Sequence, residues 1–149
     1  VKKGQSTRKR ESVDVDAALQ TLGLQKQETR EMSLLQRIGP AGVQLVTAVL
    51  LENGDRAALF SWLEHADAKT VFADLKEDLQ GAFSGQVSGL SDQTLTPEDG
   101  APVDVLSFLD PAISDQQIIF LRIKDRLYEL HVTPGNDELV GRVMEELAK

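Results

Sequence analysis

The sequence predicts an α+β domain: an antiparallel sheet of five strands, or six, with helices packed on it, in the order α-β-β-α-β-β-β-α. Three observations carry this. Asn53-Gly54 separates two apolar runs, and Asn-Gly is the strongest short hairpin signal because both positions tolerate positive φ. In the last third, residues 116–124 and 127–133 form a second pair of strand-like runs around Asp125-Arg126. Residues 67–83 and 138–147 show the 3.6-residue apolar period of amphipathic helices. Runs of strands around two helices imply an antiparallel sheet, and 149 residues suit one domain.

Residues 1–12 read as a basic, disordered tail and 13–149 as the single domain. Lys2, Lys3, Arg8, Lys9 and Arg10 share the first ten residues with no acid, and blocks of like charge are usually solvated tails. Val15, Leu19 and Leu22 suit a short helix over 13–24, ended near Gly23. Met32, Leu34, Leu35 and Ile38 suggest a second helical pattern over 26–38, stopped by Gly39-Pro40-Ala41-Gly42. The two are one broken helix or two separate ones.

Residues 43–52 are rich in β-branched side chains. A two-residue turn at Asn53-Gly54 pairs Glu52 with Asp55, Val49 with Ala58, Thr47 with Phe60 and Leu45 with Trp62. Residues 57–66 fit either the return strand or the start of a helix running to Phe83. Both faces of 43–63 are apolar, so both need a cover, from helices or from a second chain. That is the sequence's hint of a dimer.

Ala68, Val71, Phe72, Leu75, Leu79, Ala82 and Phe83 form the stripe of the central helix, with Lys69, Asp74, Glu77 and Asp78 facing away and Asp67 as N-cap. Residues 86–102 read as a long polar connection holding at most a short edge strand near 93–96, and as a candidate contact surface. Val103–Leu109 reads as a strand, with Val103, Val105 and Ser107 on one face and Leu106 and Phe108 on the other.

A turn centred on Asp125-Arg126 pairs Ile123 with Tyr128, Leu121 with Leu130 and Ile119 with Val132 on an inward apolar face. The outward face then carries Arg122 opposite Glu129 and Phe120 opposite His131. The charge pair checks the register, since a one-residue slip would put Arg122 and Glu129 in the core. Asp-Arg is a poor two-residue turn, which predicts a four-residue loop. Leu139, Val140, Val143, Met144 and Leu147 make the buried stripe of the closing helix, with Glu138 and Lys149 placed to suit its dipole.

The chain has no cysteine, which removes disulfides and thiolate-based chemistry or metal sites. Residues 11–149 carry −13, the whole-chain −8 less the five tail cations. An acidic body repels phosphate backbones, so it is not expected to bind nucleic acid. Membrane contact is expected only through the basic tail. No apolar stretch follows that tail, so no signal peptide is read there. The location is left open, cytoplasmic being favoured over a periplasmic or membrane-tethered one that a removed upstream segment would give.

No catalytic, cofactor or metal residue set is expected. His65 in Glu64-His65-Ala66-Asp67 reads as a helix-entry surface cluster, since sequence neighbours do not converge on one ion. Arg122, Glu129 and His131 share one strand face and could do acid–base work, but paired charges on an exposed sheet face are ordinary. Ser84-Gly85 and Ser88-Gly89 are turns and not nucleophile elbows, and Gly39, Gly42 and Gly54 lack nucleotide-loop spacing. Trp62, the one tryptophan, reads as core.

Met32 to Leu147, with Gly42-Val43 leading through a strand to Asn53-Gly54-Asp55, resembles roadblock-like and longin-like modules in element order. That likeness implies dimerisation and docking of protein partners. Asp125-Arg126-Leu127-Tyr128, followed by a strand and a closing helix, resembles PsbP-like domains, which implies an accessory part of a larger membrane-associated complex. The expected function is a non-enzymatic protein–protein interaction or assembly module, homodimeric or bound to a protein partner. The alternatives are the PsbP-like role, and a small-ligand binder or enzyme using His131, Glu129 and Arg122.

Overall fold

Among the described residues seven strands form one antiparallel sheet, in the order Leu24–Gln27 (β1), Leu45–Glu52 (β2), Asp55–Glu64 (β3), Arg126–Val132 (β7), Gln117–Ile123 (β6), Val103–Leu109 (β5) and Ser88–Leu95 (β4). The computed structural model describes residues 14–40, 42–82, 88–110, 115–133 and 135–149. In chain order the elements are α1 (Val15–Thr21), β1 (Leu24–Gln27), α2 (Leu34–Ile38), β2 (Leu45–Glu52), β3 (Asp55–Glu64), α3 (Ala68–Ala82), β4 (Ser88–Leu95), β5 (Val103–Leu109), β6 (Gln117–Ile123), β7 (Arg126–Val132) and α4 (Asp137–Leu147). The α+β class and the antiparallel sheet are those expected. Among the described residues there are seven strands rather than five or six, and the element order differs accordingly. The basic tail, Phe83, Ser84-Gly85 and Pro134 lie outside the described residues.

Helices cover both faces of the sheet. On one face Val15, Ala18 and Leu19 of α1 and Leu139, Val143 and Leu147 of α4 pack with Leu50, Phe60, Ile119, Leu121, Tyr128 and Leu130. On the other, Leu34 and Leu35 of α2 and Phe72, Leu75 and Leu79 of α3 pack with Leu63, Leu106, Phe108, Ile118, Phe120 and Leu127. The two apolar faces of the first hairpin are therefore met by the chain's own helices, which removes the reason they gave for a second chain. Trp62 is half-buried and stacks on Tyr128 with ring centroids 6.2 Å apart.

Residues 26–38 are not one helix. Gly23 turns the chain at φ +78, Leu24–Gln27 joins the sheet beside β2, and only the last five residues are helical. Ser33 caps α2 with its hydroxyl on the Gln36 N–H, and Gln36 returns a bond to the Ser33 N–H. This is a capping box, and it starts the helix later than the apolar spacing suggested. Residues 55–64 are strand, which resolves the strand-or-helix alternative. The supposed loop at 86–102 holds the eight-residue strand β4, longer than the short edge strand expected near 93–96.

Both hairpin registers differ from expectation. In the first, Glu52 pairs with Asp55 as expected, then Ala57 is an extra residue: Leu51 faces Arg56 but Leu50 faces Ala58. That bulge moves every later pair by one, so Val49 meets Leu59 and Val46 meets Trp62. In the second, the turn is Lys124-Asp125, with Lys124 at φ 54, and Ile123 faces Arg126. The pairing shifts by two, so Leu121 meets Tyr128, Arg122 meets Leu127 and Phe120 meets Glu129. An even shift keeps side chains on their faces. Ile119, Leu121, Ile123, Tyr128, Leu130 and Val132 all lie in one core.

Candidate functional site

Glu129 and His131 are not solvent-facing: they are 1% and 5% exposed. The outward face of β7 is roofed by α2, and the reason is electrostatic as much as apolar. A five-residue helix cannot hold itself and its first N–H groups lack intrahelical partners. The Glu129 carboxylate accepts from the Leu34 and Leu35 N–H groups, each at 2.8 Å. His131 Nε2 lies 2.5 Å from Glu129 Oε2. Beside them Ser33 Oγ donates to Ser61 Oγ at 3.1 Å, and Ser61 and Thr47 hydroxyls are 3.0 Å apart. Buried polar groups need such partners.

Outside this network Arg56 grips Glu31 through two bonds of 2.5 and 2.9 Å. That hydrogen-bonded guanidinium is the main reason the Glu31 carboxyl is held below the usual carboxylate range, against a smaller opposing effect of burial. The Glu31–Arg56 pair ties the 28–33 segment to β3 just before α2.

Arg122 is not part of this group. It bonds Asp104, its cross-strand partner on β5, with Nε and Nη2 at 2.7 and 2.6 Å, and Thr94 also donates to Asp104 at 2.8 Å. Burial pushes the Asp104 carboxyl up, and the Thr94 and Arg122 hydrogen bonds with the Arg122 charge bring it below its ordinary value. The structure thus joins two of the three supposed acid–base residues and separates the third. Glu129 and His131 line none of the surface hollows described below. The Glu129 oxygens are engaged with α2 and with His131 Nε2, an arrangement suited to clamping a segment.

His65 stands at a helix entry, its Nδ1 accepting from the Asp67 N–H at 3.0 Å while its backbone N–H donates to the Asp125 carbonyl. Among the described residues no three His, Cys, Asp or Glu side chains converge as a metal site would require. None of the described helices is long and apolar enough to cross a membrane.

The arrangement best suited to meeting another molecule is at β4. Among the described residues, β4 and β1 are the two edges of the sheet. β1 has four residues, Leu-Gln-Lys-Gln. β4 has eight, with no Lys, Arg or Pro, and Leu90 and Leu95 are each 36% exposed. Its single charge, Asp92, is tied to Lys76 of α3 at 2.9 Å. On the opposite face a groove of about 320 Å³ runs between β4 and α4, lined by Leu95, Val105, Ile119, Val140 and Met144 with Gln93 and Gln117 among its polar groups.

Two further hollows, of about 270 and 200 Å³, share Val46 and Trp62 near the start of β2. Sequence reading placed an edge strand only near 93–96, because the polar Ser91-Asp92-Gln93-Thr94 run gives no apolar alternation. The start of α2, though not the Glu129 clamp on it, had a readable sign in Ser33-x-x-Gln36. No family model, no curated protein and no solved structure matches this chain.

Proposed function

We propose that this chain is a non-enzymatic protein–protein interaction or assembly module that receives an extended segment along the free edge of β4. The observation that carries the reading is the contrast between the two edges. A sheet edge offers a row of backbone N–H and C=O groups, and proteins blunt such edges with short strands, lysines or prolines. β1 is short and carries Lys26; β4 is twice as long, lacks those guards and exposes Leu90 and Leu95. Strand addition supplies affinity through main-chain bonds, and alternate side chains supply specificity by entering neighbouring pockets. The groove beneath α4 lies on the face to which Gln93 and Leu95 point.

The test is quantitative affinity purification from the source cells with the wild-type chain and a Leu90→Lys/Leu95→Lys double variant as baits. Both leucines are surface residues, so the variant should keep its fold by circular dichroism. The expected result is selective loss of the recovered partners, an untagged copy of the chain being counted among them. An identical set of partners at identical yield with both baits would sink the reading.

A further inference from the structure

We infer that the segment β4 receives is β4 of a second copy of this chain, the two strands running antiparallel about a two-fold axis through Gln93. This rests on the reading of β4 as a working edge. A two-fold axis perpendicular to a sheet joins two edges antiparallel and keeps each face on its own side. Side chains alternate between faces, so only registers that pair odd residues with odd and even with even are allowed. β4 is irregular between Ser88 and Ser91 and regular from Ser91 to Leu95.

Within the regular stretch the axis can pass through few residues. Through Asp92 it would set the two Asp92 carboxylates opposite each other, a destabilising pair. Through Gln93 it sets Gln93 against Gln93, Asp92 against Thr94 and Ser91 against Leu95, using the whole regular stretch of both strands. Asp92 is then opposite Thr94, whose hydroxyl donates to Asp104 of its own copy, and remains held by Lys76 from its own copy. The exposed Leu95 side chain packs across the joint, on the face where both grooves under α4 now open. The sequence of β4 thus complements itself in this register. The other edge, β1, is four residues long and carries Lys26, so the assembly closes at two copies.

Each copy carries −8, so copies repel at long range. Added salt screens that repulsion and is expected to strengthen the dimer, the reverse of an interface held by opposite charges.

The absence of cysteine makes the geometry directly testable. A Gln93→Cys chain places one thiol against its symmetry mate, within cross-strand disulfide range. Under mild oxidation it should form a covalent dimer rapidly and nearly completely, while Gln25→Cys on β1 should not. Light scattering coupled to gel filtration should give a dimer for the wild type, and Gln93→Lys, which opposes two lysines at the axis, should give a folded monomer. A wild type that stays monomeric at its highest soluble concentration overturns the inference, and so does a Gln93→Lys chain that stays dimeric. If the wild type is monomeric while partners still depend on Leu90 and Leu95, the second copy is wrong and the working edge stands. If neither mass nor partners respond to β4 variants, both fall.

Discussion

Glu129 and His131 stand two residues apart on β7, and their side chains meet, with His131 Nε2 2.5 Å from Glu129 Oε2. The same carboxylate takes the Leu34 and Leu35 N–H groups. Glu129→Ala leaves two helix-terminal donors and an imidazole without their acceptor in the interior. Each buried donor left unpaired costs about 1–3 kcal/mol, so the three together cost several. Urea unfolding should show a loss of that order, and amide exchange should accelerate at Leu34 and Leu35. His131→Ala leaves the two backbone bonds intact and should lose less, about 1–3 kcal/mol. Equal losses for the two variants, or unchanged exchange at Leu34, would contradict the clamp.

Asp104 and Arg122 give a pH-dependent contribution of known sign. The folded carboxyl of Asp104 lies below its ordinary value of 3.8. Its contribution is therefore present above pH 3.8 and is lost as pH falls through the lower folded value. Arg122→Ala should cost about 1 kcal/mol near neutral pH, the usual size for a partly exposed charged hydrogen bond. The difference from wild type should shrink in acid. Denaturant titrations from pH 7 down to 3 measure it, and a difference that grows in acid would reverse the assignment.

The face of each closing-hairpin side chain was legible, because alternating apolar residues determine parity and an even slip preserves it. The pairing itself was not, because the turn decides it and Lys124, at φ 54, is not a residue that announces a left-handed turn. Asn53-Gly54 was legible for the opposite reason, yet nothing local in Arg56-Ala57-Ala58 marks Ala57 as a bulge. β1 was read as helix because one apolar residue in Leu24-Gln25-Lys26-Gln27 gives no alternation; its strand state comes from pairing with β2. Glu129 looked like a surface acid because its partners are backbone groups 94 and 95 residues away, which no local pattern records.

Tyr128 is fully buried, and its hydroxyl has no hydrogen-bond partner among the described residues. Burial pushes its phenol well above the ordinary 10.0, with the nearby Arg126 charge pulling the other way and Glu64 adding a smaller upward push. A raised folded value means this contribution is complete below pH 10 and declines as pH rises, because only the unfolded chain ionises there. It is the chain's one tyrosine, so phenolate absorbance reports on it alone. Absorbance should stay unchanged in the folded protein past pH 10 and rise only with unfolding. Tyr128→Phe removes a buried unpaired hydroxyl and should match or exceed wild-type stability at neutral pH. Ordinary phenol titration of the folded protein near pH 10 would refute this.

Gly100 lies where the chain enters β5, against the end of α4. The Ala101 N–H donates to the Ala148 carbonyl at 2.8 Å. A Cβ added at Gly100 would sit 2.9 Å from that same carbonyl oxygen and 3.0 Å from the Ala148 Cβ. The carbonyl is backbone and the Cβ is fixed to the backbone, so neither can swing away as a long side chain would. Gly100→Ala must then push the 97–101 turn off α4, lengthening the Ala101–Ala148 bond. Overpacking of this kind costs about 1–3 kcal/mol. Gly141→Ala is the matched control: it sits within α4 with open space at its Cβ position. Replacing a mid-helix glycine by alanine should stabilise by up to about 1 kcal/mol. Thermal melts of the two variants should therefore move in opposite directions from wild type. A shift of the same sign in both would mean that the close approach of Gly100 to Ala148 does not constrain the helix end.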